Sequence, residues 1–373
     1  MHHCFFYSSQ PQLCIKFRQH SILSVQCSLK ALNLFNKFKY NNINGLRALS
    51  AVGIAIMHYQ ANISVKPELG WFSDTLIPWF TWFVVLFFMI SGFALCCGYY
   101  DRMKNGQISL NDFYSKRYKR ILPFFGLLCV LDLIVDFSKE NLAQAFMNCT
   151  LVFNLLPNPD IKVIGVGWFL GLIFLFYMLF PFFVFLLDNK RRAWGIFCIS
   201  LIINFLCQEY FFTEIFVDFN PSRHNILYSA PFLLSGGLCF LYRERLHEWS
   251  AKWGNALLVV CLIANGLYFV CPQSEWTLHQ VIPLMVVFTL WLIYAMGAEH
   301  KWLHNRIMDF ISGISMEFYL CHMVMFRVVE KVHLEKIVHN ENLLFLLTCM
   351  AGIGLAVAFS YLGKKVIVRY SRL

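Results

Sequence analysis

Hydrophobic residues along this chain form long stretches separated by shorter polar segments. A helix that crosses the hydrocarbon core of a bilayer needs roughly 20 apolar residues. The pattern therefore predicts an all-α, polytopic integral membrane protein with about ten transmembrane helices. The predicted helices are residues 43–62, 76–98, 120–137, 166–187, 194–212, 225–242, 254–272, 279–298, 307–329 and 342–363.

The composition excludes an ordinary soluble protein. The chain is 58% hydrophobic and 14% charged, whereas soluble domains are about a quarter charged. The net charge of +10 would by itself be compatible with nucleic-acid binding. The basic residues, however, fall in short clusters between apolar stretches, which is typical of membrane topology. We therefore expect a lipid bilayer as the partner and no nucleic acid.

The basic clusters also predict the orientation. Ten helices place both chain ends on the same side of the membrane. If the N-terminus is cytoplasmic, 24 of the 31 Lys and Arg residues lie on the inner side and seven lie in outer connections or outer helix ends. The positive-inside rule then predicts an N-in, C-in, multi-pass protein of the cell membrane. A bacterial inner or plasma membrane is the expected location.

The sequence predicts that the chain is divided into three segments. Residues 1–42 are a basic cytoplasmic extension, which either contains an interfacial amphipathic segment at 29–38 or is an over-called start upstream of the domain. Residues 43–363 form the transmembrane domain, and residues 364–373 form a short basic cytoplasmic tail. In the long outer connection 138–165, the apolar run 143–156 is short and either dips into the membrane or packs on top of the bundle.

The 14 cysteines are scattered, and most of them lie inside apolar stretches. They show no spacing typical of metal ligands, so we interpret them as small buried hydrophobic residues. The sequence predicts no metal site and no bound cofactor.

Two polar residues in the first predicted helix are costly in lipid. Arg47 lies near its inner end, and His58 is 11 residues further along, about three full turns, so both side chains lie on one face. In the simplest interpretation, Arg47 is an interfacial anchor and His58 is a buried histidine hydrogen-bonded between helices. The alternative is a functional face, because histidine takes up and returns a proton near neutral pH.

Small and basic residues mark the next two helices. Ser91 and Gly92 give a bulky helix a small surface, which favours close helix packing. Further along, four cations precede Pro123, a residue that suits a helix start. This basic cluster is either a positive-inside anchor or a clamp for phosphates arriving from the cytoplasm. Its members are Lys116, Arg117, Lys119 and Arg120.

Glu317 and His322 lie well inside the ninth predicted helix. An intramembrane carboxylate such as Glu317 is a functional-site candidate by default, although pairing with a neighbouring cation explains it as well. His322 is five residues further on and points about 140° away, so the two need not act together. In the fourth helix, Trp168 is explained by default as an interfacial aromatic residue.

Together these motifs resemble the acyltransferase 3 family of membrane-bound O-acyltransferases, and the resemblance covers residues 43–363. Each motif is weakly specific alone, but five occur in the right order on a ten-helix layout. They are Arg47 with His58 after ten intervening residues; Phe87, Phe88, Ser91, Gly92 and Phe93; Arg117 to Pro123; Trp168, Leu170, Phe176, Tyr177 and Pro181; and Ser315, Tyr319, Leu320 and His322.

The resemblance implies an enzyme that transfers an acyl group, usually acetyl, from cytoplasmic acyl-CoA to a carbohydrate hydroxyl. The acceptor would be a surface polysaccharide or a lipid-linked glycan, and acetyl-CoA would be a donor substrate. His58 is implied as general base, with Glu317 and Ser91 as further catalytic candidates. Direct transfer is favoured over an acyl intermediate on His58 or Ser91. The implied substrate-binding residues are Arg47, Arg117, Arg120, Trp168, Tyr177, Tyr319 and His322.

The sequence departs from the family pattern in two respects. Many members carry a glutamate five residues after the tryptophan, where this chain has Ile173, and this makes Glu317 more interesting. The chain also lacks the C-terminal hydrolase-like domain of some members, so acyl chemistry is expected in the membrane domain.

Two other classes of protein share some of these features. A proton-coupled transporter using His58 and Glu317 is one alternative, since intramembrane charges also occur in transporters. A haem protein with His58 and His322 as axial ligands is another, although nothing in their spacing requires it.

Overall fold

The computed structural model describes residues 40–155, 161–211, 224–270, 281–298 and 300–370, and every regular element in these ranges is helical. The main helices are numbered here in chain order. They are α1 (Asn41–Asn62), α2 (Phe83–Lys104), α3 (Leu110–Val135), α4 (Lys139–Thr150), α5 (Trp168–Leu187), α6 (Lys190–Leu206), α7 (Ile226–Leu241), α8 (Arg243–Val270), α9 (Val281–Gly297), α10 (Arg306–Gly313), α11 (Ser315–Glu330) and α12 (Glu341–Tyr370).

Several helices start at a polar side chain that accepts a hydrogen bond from the first turn, as the unpaired N–H groups there require. Ser109 caps α3, Ser138 caps α4 and Asn305 caps α10. α11 is different, because its N-cap residue is Ile314, which offers no side-chain acceptor. The first N–H groups of α11 therefore need other partners.

Each of the ten predicted spans overlaps a helix. By length and apolar composition, five helical segments of the described chain can cross a membrane. They are Phe72–Lys104, Gly165–Leu187, Lys190–Tyr210, Arg243–Val270 and Glu341–Ile367. A sixth span results if α10 and α11 are counted as one bent segment. The described part of the chain is therefore all-helical, with helices typical of a membrane protein, while ten crossings and the N-in, C-in orientation stay predictions.

The predicted inner connections meet at one end of the bundle. Asp101, near the end of α2, pairs with Arg243 at the start of α8 at 3.6 Å. Lys104 forms an ion pair with Asp188, which follows α5, and the hydrogen bond from Lys104 lowers the pKa of the Asp188 carboxyl. Helix ends that the charge pattern assigns to one side of the membrane are thus in contact.

Two predicted outer connections also meet. The Asn342 side chain accepts a hydrogen bond from the Glu68 backbone N–H at 2.9 Å and donates one to its carbonyl at 3.1 Å. Glu68 lies in the connection after α1, and Asn342 lies in the first turn of α12, so this contact joins two connections that the charge pattern assigns to the outer side.

α1 lies inside the bundle and packs against α2, α9, α10, α11 and α12. α2 and α7 approach most closely at two glycines. A Cβ added to Gly92 would lie 2.4 Å from the carbonyl oxygen of Leu233, and one added to Gly236 would lie 2.1 Å from that of Met89. The small-residue surface around Gly92 is therefore a packing surface, as its sequence indicated.

The structure corrects two local predictions. The prediction of a helix start at Pro123 is wrong, because α3 begins at Leu110 and passes through the proline. The basic cluster is therefore helical. The prediction of one continuous helix over 307–329 is also wrong, because the chain bends by 76° between α10 and α11.

Three other predicted segments can be compared directly with the described helices. The run 143–156 overlaps the short helix α4 and a 3-10 turn, Phe153–Leu155. The last helix extends beyond residue 363 to Tyr370. The predicted amphipathic segment 29–38 lies outside the described residues.

Candidate active site

A cavity of about 260 Å³ lies among α1, α2, α3, α5, α10 and α11. Its wall combines cations, hydroxyl groups and aromatic rings. The polar and aromatic side chains that line it are Arg47, Phe87, Ser91, Tyr99, Arg117, Arg120, Phe169, Tyr177, Ser312, Ser315 and Tyr319. Six predicted site residues are therefore brought together: Arg47, Ser91, Arg117, Arg120, Tyr177 and Tyr319.

The helical basic cluster explains why only two of its four cations reach the cavity. Residues three apart on a helix lie on the same side. Arg117 and Arg120 are spaced in this way and line the cavity, whereas Lys116 and Lys119 are exposed and do not. The motif thus presents its arginines inward and its lysines outward.

Arg117 is held by aromatic side chains. Its guanidinium donates a hydrogen bond to the Tyr99 hydroxyl. The guanidinium carbon lies 4.6 Å from the ring centre of Tyr99 and 5.4 Å from that of Tyr177, within cation–π range. Its buried Nε has no hydrogen-bond partner in the described part of the chain. Arg117 is thus oriented but keeps unused donor capacity.

Arg120 connects α3 to α11 through Glu317. The Arg120 Nη1 donates to Glu317 Oε1 at 2.6 Å, and the two side chains are 43% and 3% exposed, respectively. Glu317 lies in the first turn of α11, where a helix favours negative charge. Its second oxygen, Oε2, is buried and has no partner among the described residues. The carboxylate is therefore paired with a cation, one of the two interpretations that its sequence position allowed.

Arg47 enters the cavity from α1. No described carboxylate forms an ion pair with it, whereas Glu317 already pairs with Arg120. Three arginines around one small cavity repel one another and attract an anion. The first residues of α11, including Ser315, also line the cavity, so the uncapped start of this helix adds to the positive field.

His58 does not line the cavity but forms a pair with His322 of α11. Their ring centres are 5.2 Å apart. His322 is buried, and its Nδ1 lies 2.6 Å from the backbone oxygen of Tyr319. The Tyr319 ring is 5.7 Å from the His322 ring and is also part of the cavity wall. Tyr319 thus separates the arginine cavity from the histidine pair.

The geometry agrees with two predictions from residue spacing. Arg47 and His58 both lie on the side of α1 that faces α11. Glu317 and His322 of α11 contact different partners, Arg120 and His58. Among the described residues, no group of three or more His, Cys, Asp and Glu side chains is arranged to hold a metal ion.

Trp168 lies apart from the other predicted residues. Its ring stacks on His224, with centres 3.9 Å apart and planes 19° apart. The Asn154 amide donates to the backbone oxygens of both residues, at 3.1 and 3.4 Å. Trp168 is not in the cavity wall, but the next residue, Phe169, is.

Several wall residues were missed in the sequence. Leu95 and Tyr99 line the cavity together with Phe87 and Ser91, which belong to a motif named from the sequence. They follow one another at four-residue spacing, the period of one helix face. This periodicity could have identified Tyr99 once Ser91 was selected. Ile173, the position at which the sequence departs from the expected family pattern, also lines the cavity.

Comparison with known proteins decides the family. Residues 40–362 match the family model of the acyltransferase 3 domain. The chain belongs to the acyltransferase 3 family. The resemblance of its motifs is thereby confirmed, and the protein is an enzyme of the acyltransferase class.

Two known proteins are similar to parts of this chain. An uncharacterized protein of Haemophilus influenzae is 29% identical over 237 residues, which are 56% of this chain and 96% of that protein. The O-acetyltransferase OatA of Staphylococcus aureus is 28% identical over 180 residues, which are 43% of this chain and 28% of OatA. The match thus spans less than a third of OatA. No solved structure matches the chain.

Proposed function

We propose that this acyltransferase 3 protein transfers an acyl group, acetyl in the first instance, from cytoplasmic acyl-CoA to a hydroxyl of a cell-surface or lipid-linked carbohydrate. One observation carries the proposal: a cavity with three arginines shares Tyr319 with a pair of histidines. An anionic donor held by the arginines would lie next to a proton acceptor in the same bundle, which supports the proposal. The named relative OatA is an O-acetyltransferase, which supports an oxygen acceptor.

The donor phosphates are assigned to Arg47, Arg117 and Arg120. A guanidinium suits phosphate because it offers several N–H donors in one plane. Arg120 is 43% exposed and belongs to the predicted inner side, so it is reachable from the cytoplasm. The start of α11 supplies backbone N–H groups of the kind that bind anions. The thioester arm then extends past Tyr319 towards the histidines.

His58 is assigned as the general base. The acceptor oxygen attacks the thioester carbonyl carbon, its proton moves to His58, the carbon–sulfur bond breaks and the leaving sulfur takes the proton. A working general base typically accelerates a reaction 10²- to 10⁴-fold. Transfer through an acyl-Ser91 is disfavoured, because Ser91 lines the cavity without a hydrogen bond to any described residue that could activate it.

The acceptor is assigned to the outer side or to the membrane, in the plasma membrane of a bacterium. The stacked rings of Trp168 and His224 offer an aromatic surface close to the cavity wall for a sugar ring. A lipid-linked glycan would approach laterally through the bilayer, and a polysaccharide would approach from outside.

The transporter alternative gains no support from the geometry. It needs His58 and Glu317 to act together on protons, but Glu317 pairs with Arg120 while His58 faces His322. The family match also favours the enzyme.

A simple assay distinguishes an acyltransferase from a transporter. The detergent-purified protein is given radiolabelled acetyl-CoA and extracted envelope glycans, without any membrane gradient. The proposal predicts release of free CoA and appearance of label on a glycan hydroxyl. Tight acetyl-CoA binding without transfer to any glycan would contradict the carbohydrate acceptor. Absence of both binding and transfer would contradict the donor as well.

A further inference from the structure

We infer that a second cavity, at the predicted outer end of the bundle, binds a neutral sugar unit of the acceptor other than the unit that is acylated. This inference rests on the proposed acyl transfer and adds a binding site to it. The cavity has a volume of about 190 Å³, below the roughly 300–1,000 Å³ of sites for drug-sized ligands. It therefore suits one small polar unit of a longer chain.

The second cavity lies where three helices meet. Its wall comes from the segment that follows α1, from the end of α11 with the turn after it, and from the start of α12. The charge pattern assigns both of the connections involved to the outer side. A ligand in this cavity would thus come from outside the cell or from the outer leaflet.

The wall combines a buried apolar part with an exposed polar part. Val329 and Leu344 are 4% and 3% exposed. Ser64 and Glu330 are exposed and line the same cavity. Ligand sites generally pair apolar walls with a few polar groups that fix orientation. A sugar ring matches this division, because it has an apolar C–H face and hydroxyl groups around its edge.

Thr348 of α12 places one hydroxyl group in the buried part of the wall. The residue is 4% exposed and lines the cavity, and its side chain forms no hydrogen bond with a described residue. Threonines in helices commonly bond back to a carbonyl of the preceding turn. The Thr348 hydroxyl can therefore both donate to and accept from a ligand. Because a buried polar group without a partner costs free energy, a ligand hydroxyl at this place would be favoured.

Two carboxylates determine the charge of the ligand. Glu330 forms no ion pair with a described cation, and Glu335 lies 2.8 Å from Nδ1 of His333. Both carboxylates line the cavity, where they accept hydrogen bonds from hydroxyl groups and repel an anion. The described residues do not form a metal-binding group here. A neutral sugar unit fits these conditions, whereas a uronic acid does not.

The position of the cavity explains why it holds a second unit. Along α11, the arginine cavity comes first, His322 follows, and Glu330 lies eight residues beyond His322, about 12 Å. The rings of Tyr59 and Phe326, stacked with centres 5.0 Å apart, belong to the intervening parts of α1 and α11. A unit in the second cavity is thus too far from the histidine pair to be acylated there. The acceptor accordingly has at least two units.

The test uses the full-length protein in a detergent without a sugar headgroup. Three acceptor sets are compared: neutral disaccharides of hexoses and N-acetylhexosamines, their monosaccharide glycosides, and the same disaccharides with one unit oxidised to a uronic acid. We expect the neutral disaccharides to have the highest kcat/KM. The uronic acid forms should be disfavoured, and Glu330→Gln should reduce this discrimination because it removes one of the repelling charges.

Substitutions in the wall should change the ratio of kcat/KM for disaccharides to that for monosaccharides. Thr348→Val and Glu330→Ala should each lower this ratio roughly tenfold, through KM, because each removes a hydrogen bond to the second unit. Thr348→Ser keeps the hydroxyl and should recover most of the loss. Glu140→Gln removes a carboxylate from the exposed surface of α4 and should leave the ratio unchanged.

Equal kcat/KM for monosaccharides and disaccharides would overturn the inference, and so would a ratio that survives both wall substitutions or a preference for uronic acids. If Thr348→Val does not fold, the variants of the exposed Glu330 decide. Binding of the neutral disaccharides, measured by equilibrium dialysis without acetyl-CoA, should weaken in the same variants. A wild-type protein that transfers acetyl to no acceptor would contradict the proposed function, whereas disaccharide binding that depends on Thr348 and Glu330 would still support the site.

Discussion

Arg117 and Lys116 are neighbours in one motif and carry the same charge, but only Arg117 lines the cavity. We expect Arg117→Gln to weaken acetyl-CoA binding by roughly 10- to 100-fold, because a hydrogen bond to a charged group contributes about 1.5–3 kcal/mol. Lys116→Gln removes the same charge from the exposed side of α3 and should leave the affinity unchanged. Equilibrium binding in detergent measures both.

Equal effects of the two substitutions would contradict the assignment of the donor phosphates. They would show that α3 attracts the donor only through the general positive charge of the inner surface. Lys119→Gln serves as a second exposed control.

At the residue scale, costly polar residues and the family motifs together gave the candidate site residues, and six of these line the cavity. It could not identify the contacts between helices. Glu317 pairs with Arg120, and His58 faces His322, because distant parts of the chain meet in the bundle. One sequence holds no information on which helix faces which. Ile173 was noted only as a departure from the family pattern, and its place in the cavity wall was not predicted, since isoleucine is ordinary in a membrane helix.

The contact between α2 and α7 gives a prediction at the level of whole helices. Gly92→Ala puts a methyl group 2.4 Å from the Leu233 carbonyl oxygen, whereas a methyl group at Gly98, on the same helix, meets nothing within 4 Å. Gly92→Ala should therefore destabilise the protein by about 1–3 kcal/mol. Gly98→Ala should be neutral or stabilising by up to about 1 kcal/mol. Thermal unfolding in detergent compares the two, and equal melting temperatures would contradict the close helix contact.

The ion pair between α3 and α11 predicts an asymmetry. Arg120→Ala leaves the buried carboxylate of Glu317 without its cation, which is costly. Glu317→Ala leaves Arg120, whose side chain is 43% exposed and can be hydrated. Arg120→Ala should therefore lower the melting temperature more than Glu317→Ala does. The double variant should be more stable than Arg120→Ala alone, and the opposite order would show that the pair does not stabilise the bundle.

Hydrophobic length predicted the helices well, because a spanning segment must satisfy its backbone hydrogen bonds internally. Each predicted span overlaps a helix. The bend of 76° before α11 was missed, since both arms are apolar enough to read as one segment. The helical character of the basic cluster was missed because Pro123 suggested a start. Pro123 instead lies inside α3, and a proline within a membrane helix is tolerated where neighbouring groups satisfy the freed carbonyl.

For the whole molecule, the distribution of Lys and Arg predicts an N-in, C-in topology. Alkaline phosphatase folds only outside the cytoplasm, so insertions of this reporter in a Gram-negative host assign each connection. Insertions after Asn105 and after Asn189 should be inactive, and insertions after Lys66 and after Asn340 should be active. The opposite pattern would place the arginine cavity on the outer side and exclude a cytoplasmic donor.

The same predicted topology determines the sides of the membrane from which the donor and the acceptor would reach the site. The arginines belong to helix ends at the predicted inner side, and His58 lies further along α1 from Arg47, beyond Tyr319. A donor that enters from one end and an acceptor that arrives from the other or from the lipid would meet at the histidine pair. α1 carries both Arg47 and His58, so one helix would contact the donor near its inner end and the reacting groups further along.

The most direct test of the central claim is acyl transfer from acetyl-CoA by wild-type protein and His58→Ala, at matched folded yield, with donor affinity measured in parallel. We predict that kcat falls roughly 10²- to 10⁴-fold in His58→Ala, while the Kd for acetyl-CoA is unchanged because the arginine cavity is intact. Transfer that continues at the wild-type rate in His58→Ala would contradict the account. The histidine would then be structural, and Glu317 would become the first candidate for the base.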